Sequence, residues 1–130
     1  MTCKAKLRPI TQNDGRVRFA VSAQEGILVE ADTAFALGIM LTKLITNAVK
    51  YAFPPPRSGT ICAEARRGAP ERLEVSIRDD GVGMTSFREG SLGYGLVRSL
   101  VQQINGHIAV QSDPGLTVTI SFPAPPTLSV

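Results

Sequence analysis

Three polar or glycine-bearing clusters stand out once the apolar pattern of the chain is subtracted. Lys43, Asn47 and Lys50 are spaced by four and three residues, so on a helix their side chains share one face. The amide of Asn47 offers a hard oxygen of the kind Mg²⁺ takes when phosphates also hold the ion. The second cluster is Arg78-Asp79-Asp80-Gly81-Val82-Gly83-Met84. Two carboxylates at a strand end, followed by Gly81 and Gly83 that let the backbone turn sharply and approach a flat ligand, suit recognition of a base by a buried acceptor. The third is Gly93-Tyr94-Gly95-Leu96, where free backbone donors and the positive end of a helix dipole invite phosphate oxygens. Taken singly, each has an ordinary structural use: a solvated helix face, an Asp-Gly turn, a flexible helix start. Their order along the chain carries the argument.

Elements able to position these clusters are legible in the periodicity. Alternation over 16–21 after the turn signal Asn13-Asp14-Gly15 predicts a strand, and a short second strand over 27–30 is expected to pair with it. Asp32 is the expected N-cap of a helix running to about Ala52, with Leu37, Leu41, Leu44, Ala48 and Tyr51 forming its apolar stripe. Pro54, Pro55 and Pro56 stop it. Strands are predicted over 60–66 and 73–78, joined through Gly68-Ala69-Pro70, the second alternating Leu73, Val75 and Ile77 with polar residues. A second helix is expected over 93–104, with Leu96, Leu100, Val101 and Ile104 at helical spacing and Asn105-Gly106 as its stop. Strands over 107–112 and 117–122 close the fold as a hairpin around Asp113-Pro114-Gly115. The economical architecture is an α/β two-layer sandwich, a mixed, largely antiparallel sheet covered on one face by helices.

At 130 residues and 43% hydrophobic, the chain has the size and apolar content of one domain with one core. Its balance of 14 Lys+Arg against 11 Asp+Glu is too even to argue for nucleic acid. Cys3 and Cys62 lie far apart without metal-type spacing, so neither a disulfide framework nor a zinc site is indicated, and a reducing cytoplasmic setting is the default. Without an apolar run of about 18–20 residues, no direct membrane contact is expected.

In this order and spacing, the three clusters resemble the N, G1 and G2 boxes of the Bergerat-fold ATPases, and within them the ATP-binding domains of bacterial sensor histidine kinases of the blue-light and general-stress type. The resemblance rests on Ala31-Asp32-Thr33-Ala34-Phe35-Ala36-Leu37-Gly38, Thr46-Asn47-Ala48-Val49-Lys50-Tyr51-Ala52-Phe53-Pro54 and Ser91-Leu92-Gly93-Tyr94-Gly95-Leu96-Val97-Arg98, with Gln103-Ile104-Asn105-Gly106 and a final strand ending Phe122-Pro123. It implies a division into a lead-in with a strand (1–25), the ATP-binding domain (26–123) and a flexible tail (124–130).

The resemblance also implies roles. Asn47 would ligate the Mg²⁺ bridging the nucleotide phosphates, and Lys50, the catalytic candidate, would neutralise their charge. Asp80 would accept from the adenine amino group in a pocket shaped by Gly81 and Gly83. Gly93, Tyr94, Gly95 and Leu96 would form the phosphate-binding turn, and residues 84–92 a short lid. The γ-phosphoryl of ATP would pass to a histidine on a separate dimerisation module, with a response regulator as the further partner; a docking module without turnover and an anti-sigma serine kinase are the competing functions. Two positions depart from the pattern. Lys43 stands where related kinases carry Glu or Asn, and a lysine can neither ligate Mg²⁺ as a cation nor act as an anionic base. Leu116 stands where they carry a threonine that helps to hold adenine, and strand alternation points Thr117 to the opposite face. The single histidine, His107, is expected to be structural rather than a phosphoacceptor.

Overall fold

The computed structural model describes residues 7–9, 17–53, 56–68, 71–81, 92–112 and 115–125. In chain order these form β1 (Leu7–Pro9), β2 (Val17–Ala23), α1 (Ala31–Asn47) continuing as a π turn (Ala48–Ala52), β3 (Gly59–Arg67), β4 (Arg72–Asp79), α2 (Leu92–Gln103), β5 (His107–Ser112) and β6 (Leu116–Pro123). The strands make one six-stranded sheet in the order β1-β2-β3-β4-β6-β5. Four of the five pairings are antiparallel; β2 and β3 run parallel, and the crossover that parallel neighbours need is supplied by α1. The expected two-layer sandwich is what forms.

Period-two patterning makes the sheet one-sided. Leu73, Val75 and Ile77 of β4 and Leu116, Val118, Ile120 and Phe122 of β6 are all buried. Onto them pack Ala36, Leu37, Met40, Leu44 and Ala48 from α1 with its π turn, and Val97, Leu100 and Val101 from α2. The other face carries polar cross-strand pairs: Arg66 with Glu74 and Arg78 with Glu64, each at 3.1 Å, while Arg72 Nε donates to Ser121 Oγ at 2.8 Å. Such alternation is what an antiparallel sheet covered on one side requires.

The ends of the helices fix the approach to the site. α2 stops where expected: Asn105 takes the left-handed conformation (φ 56°), its N–H donates to the Gln102 carbonyl at 3.1 Å, and that of Gly106 donates to Val101 at 2.9 Å. Both bonds are those of a Schellman ending. α1 with its π turn reaches Ala52, as the proline run demands, and Phe53 is buried in a non-helical conformation ahead of the prolines. The π geometry turns less per residue than an α-helix, so side chains beyond Asn47 lag the helical phase.

Several expectations are corrected. Residues 27–30 are not a strand; β2 already has β1 on one edge and β3 on the other, so Ile27 and Val29 pack against the core instead. The N-cap of α1 is Glu30, in extended conformation and without a side-chain capping bond, which leaves Asp32 in the first turn where its charge complements the dipole. The edge strand β1, too short to show a pattern, was not anticipated. Cys62, only 1% exposed in β3, is disulfide-bonded, its partner lying outside the described residues. Distance in sequence is no guide here, because a disulfide needs only closeness in space. The turn at residues 13–15 and the tail from 126 lie outside the described residues.

Candidate functional site

The C-terminal ends of α1 and β4, the start of β6 and the start of α2 meet at one end of the sandwich. Asn47, half-buried, lines a small cavity with Leu44, Ala48, Ile77, Asp79, Leu116 and Val118. Asp79 is there because it continues the buried series Leu73, Val75, Ile77 by one more alternation. The residue is only 5% exposed, and Oδ1 accepts from the backbone N–H of Gly81 at 2.9 Å and of Leu116 at 3.4 Å. Burial raises its pKa above the ordinary carboxylate value, and the neighbouring Asp80 adds to the rise. The two backbone N–H groups and Arg57 oppose it without cancelling it.

Asp80 behaves differently. It is exposed, its Oδ1 accepts from the Thr60 N–H at 2.8 Å, and its carbonyl accepts from the Arg57 guanidinium at 3.1 Å. A Cβ on Gly59 would strike this carboxylate and the Phe53 ring, so Asp80 ties the end of β4 to the start of β3. Of the two carboxylates, the structure brings Asp79 to Asn47, not the expected Asp80. The signal was present in the strand alternation, which places Asp80 off the helix-facing side.

Glycines set the spacing. A Cβ on Gly115 would collide with the backbone carbonyl of Asp79, so only glycine lets β6 begin against the end of β4; sequence reasoning had used it only as a turn residue. A Cβ on Gly93 would lie 3.1 Å from Lys43 Cε and 3.2 Å from Asn47 Nδ2, which places the first turn of α2 directly on the Lys43–Asn47 face of α1. Gly95 faces open space. Gly81 is buried and holds the Asp79 carboxylate through its N–H.

The remaining candidates lie around this centre. Tyr94 is half-buried against the core, while Leu96, 43% exposed, lines an outer groove with Phe35, Gly38, Ile39 and Thr42 rather than the cavity shared by Asn47 and Asp79. Lys50 is exposed on the π turn. Leu116 puts an apolar side chain into the cavity, and Thr117 falls on the alternate side of β6, paired with Arg78 and Gln111. His107 is exposed at the start of β5. Gly83 and residues 84–91 of the expected lid lie outside the described residues. A buried acceptor at one end and a helix start flanked by an amide and an ammonium at the other suit a ligand with a hydrogen-bonding base and an anionic tail.

The sequence profile of the Histidine kinase-, DNA gyrase B-, and HSP90-like ATPase family matches residues 32–126. The chain belongs to this family. This ATPase-family domain is 32% identical over 120 residues to Blue-light-activated histidine kinase 2 of Erythrobacter litoralis, a match covering 88% of this chain and 35% of that protein. It is 29% identical over 125 residues to the sensor histidine kinase PdtaS of Mycobacterium tuberculosis, covering 90% and 25% respectively. Among solved structures, the Erythrobacter litoralis EL346 blue-light activated histidine kinase superposes with a TM-score of 0.75 at 29% identity, over 84% of this chain and 36% of that one. The catalytic domain of the histidine kinase ThkA superposes at 0.69 with 19% identity, over 86% and 82%, which speaks to the fold. The chain spans about a quarter to a third of the length of the two curated relatives.

Proposed function

We propose that this ATPase-family domain is the ATP-binding catalytic domain of a two-component sensor histidine kinase and donates the γ-phosphoryl group of ATP to a histidine on a separate dimerisation module. The observation that carries the reading is the convergence of Asn47, Asp79 and Gly93 at one end of the sandwich. In this reading Asp79, replacing Asp80 in that role, accepts from the adenine amino group, and Gly81 and Gly83 shape the adenine pocket. The backbone of Gly93, Tyr94, Gly95 and Leu96 faces the phosphates, and Lys50 contributes positive charge from the end of the π turn.

Mg²⁺ fits this donor set in one way. Among the described residues no three His, Cys, Asp or Glu side chains cluster as a metal cage, so the ion would share the Asn47 oxygen with phosphates and water, as Mg²⁺ prefers. Bound there, it would withdraw charge from the bridging phosphate oxygens. The chain's own part in phosphoryl transfer is then positioning and charge complementarity. The acceptor histidine lies on another segment or chain, and the response regulator is the onward partner.

Lys43 beside Asn47 favours a second reading, a domain that binds nucleotide without efficient turnover. Incubation with γ-labelled ATP and a separately produced histidine-bearing helical module separates the two. Acid-labile label on that module is the expected result; ATP binding without transfer selects the second reading, and absence of ATP binding at millimolar concentration overturns both.

A further inference from the structure

Lys43 lies one helical turn before Asn47 on α1, and the structure gives its side chain a defined course. Measured from the position a Cβ would take on Gly93, Cγ lies at 3.9 Å and Cε at 3.1 Å, so the stem runs along the first turn of α2. Its ammonium, one covalent bond beyond Cε, therefore sits beside the positive end of a twelve-residue helix. Like charge at a helix N-terminus is unfavourable unless an anion joins it. Both ion pairs recorded among the described residues involve arginines on the opposite face of the sheet, and none engages Lys43. The side chain is half-buried, which limits relief by solvent.

We infer that Lys43 supplies the charge for the nucleotide phosphates in this domain, so that nucleotide binds with little dependence on a divalent cation. This rests on the nucleotide reading above. An ammonium is a compact donor that pairs with phosphate oxygens as a point charge. Beside the first turn of α2 it completes an anion site whose protein-borne charge does what a bridging metal does elsewhere. Asn47, with its amide nitrogen 3.2 Å from the same Gly93 Cβ position, hydrogen-bonds the phosphates when no ion is bound to its oxygen.

The test is a calorimetric titration of ATP into the domain with Mg²⁺ and again with excess EDTA, for wild type, Lys43→Gln and Lys43→Arg. Wild type is expected to lose less than about threefold in affinity on chelation, and Lys43→Gln to lose at least about tenfold, with Lys43→Arg intermediate because charge is kept but geometry changes. Thermal melts establish that each variant is folded. If wild type loses about tenfold or more on chelation while binding Mg-ATP normally, or if Lys43→Gln tolerates chelation as wild type does, the inference fails and the nucleotide reading stands. If wild type binds ATP in neither condition, the nucleotide reading fails and takes this inference with it.

Discussion

Replacing Asp79 by Asn separates the carboxylate's use in binding from its effect on stability. Asn can keep an oxygen at the Oδ1 position, so the bonds from Gly81 and Leu116 at 2.9 and 3.4 Å are retained. The change removes a charge whose burial raises its pKa. Between the unfolded value near 3.9 and this higher folded value, the folded state binds more protons, so stability falls as pH rises through that window. At neutral pH the full cost of the charge is present, and Asp79→Asn is expected to melt at the same temperature as wild type or higher. The difference should shrink toward zero as pH falls below about 3.9, where both states of the wild-type side chain are protonated. Binding should move the other way. An acceptor bond to a charged group contributes about 1.5–3 kcal/mol, and the Asn –NH₂ would oppose an adenine amino group, so ATP affinity should fall roughly 10- to 100-fold. Asp80→Asn, whose carboxylate faces Thr60, should alter affinity less than about twofold, as expected of a surface group. Melting curves across pH and titrations of both variants make the comparison. A lower melting temperature for Asp79→Asn at neutral pH, or greater loss of affinity in Asp80→Asn, would refute the reasoning.

Three further substitutions probe the glycines and the core. Gly95→Ala meets no atom within 4 Å, so it should raise the melting temperature by roughly 2–4 °C through helix propensity while weakening ATP by about fivefold if phosphate approaches there. Gly115→Ala drives a Cβ into the Asp79 carbonyl and should destabilise by at least about 2 kcal/mol, seen as a lower midpoint in urea. Met40→Ala, at a position with no exposed surface, should cost about 2–5 kcal/mol by the same measurement while leaving ATP affinity unchanged at temperatures where the variant is folded.

Elements whose own residues carry their pattern were legible. β4 shows clean alternation, α2 carries both its apolar stripe and the Asn105-Gly106 stop, and the prolines mark the end of the helical segment. What the sequence hid depends on neighbours. Residues 27–30 have strand-like composition, but whether they pair depends on free edges, and β2 has none. The Cys62 disulfide depends on closeness in space, which sequence separation does not report. Within the site, Asn47 and Gly93 lie together, as the family resemblance implied. The choice between Asp79 and Asp80 turned on one step of alternation: carrying the Leu73, Val75, Ile77 series forward reaches Asp79, whereas reading the Asp-Gly dipeptide as a unit selects Asp80. Gly115 escaped notice because the approach it permits is to a backbone some 36 residues earlier, information no local pattern holds.

The central claim is that one end of the sandwich, where α1, β4, β6 and α2 meet, is a nucleotide site. An amide proton–nitrogen NMR titration with ATP tests it residue by residue. Saturable shifts are expected at Asn47, Asp79, Gly81, Gly93, Gly95 and Leu116, with little change around Asp32, Gln103 and Ala124 at the other end of the helices. Shifts centred on that opposite end, or none at millimolar ATP, would contradict it.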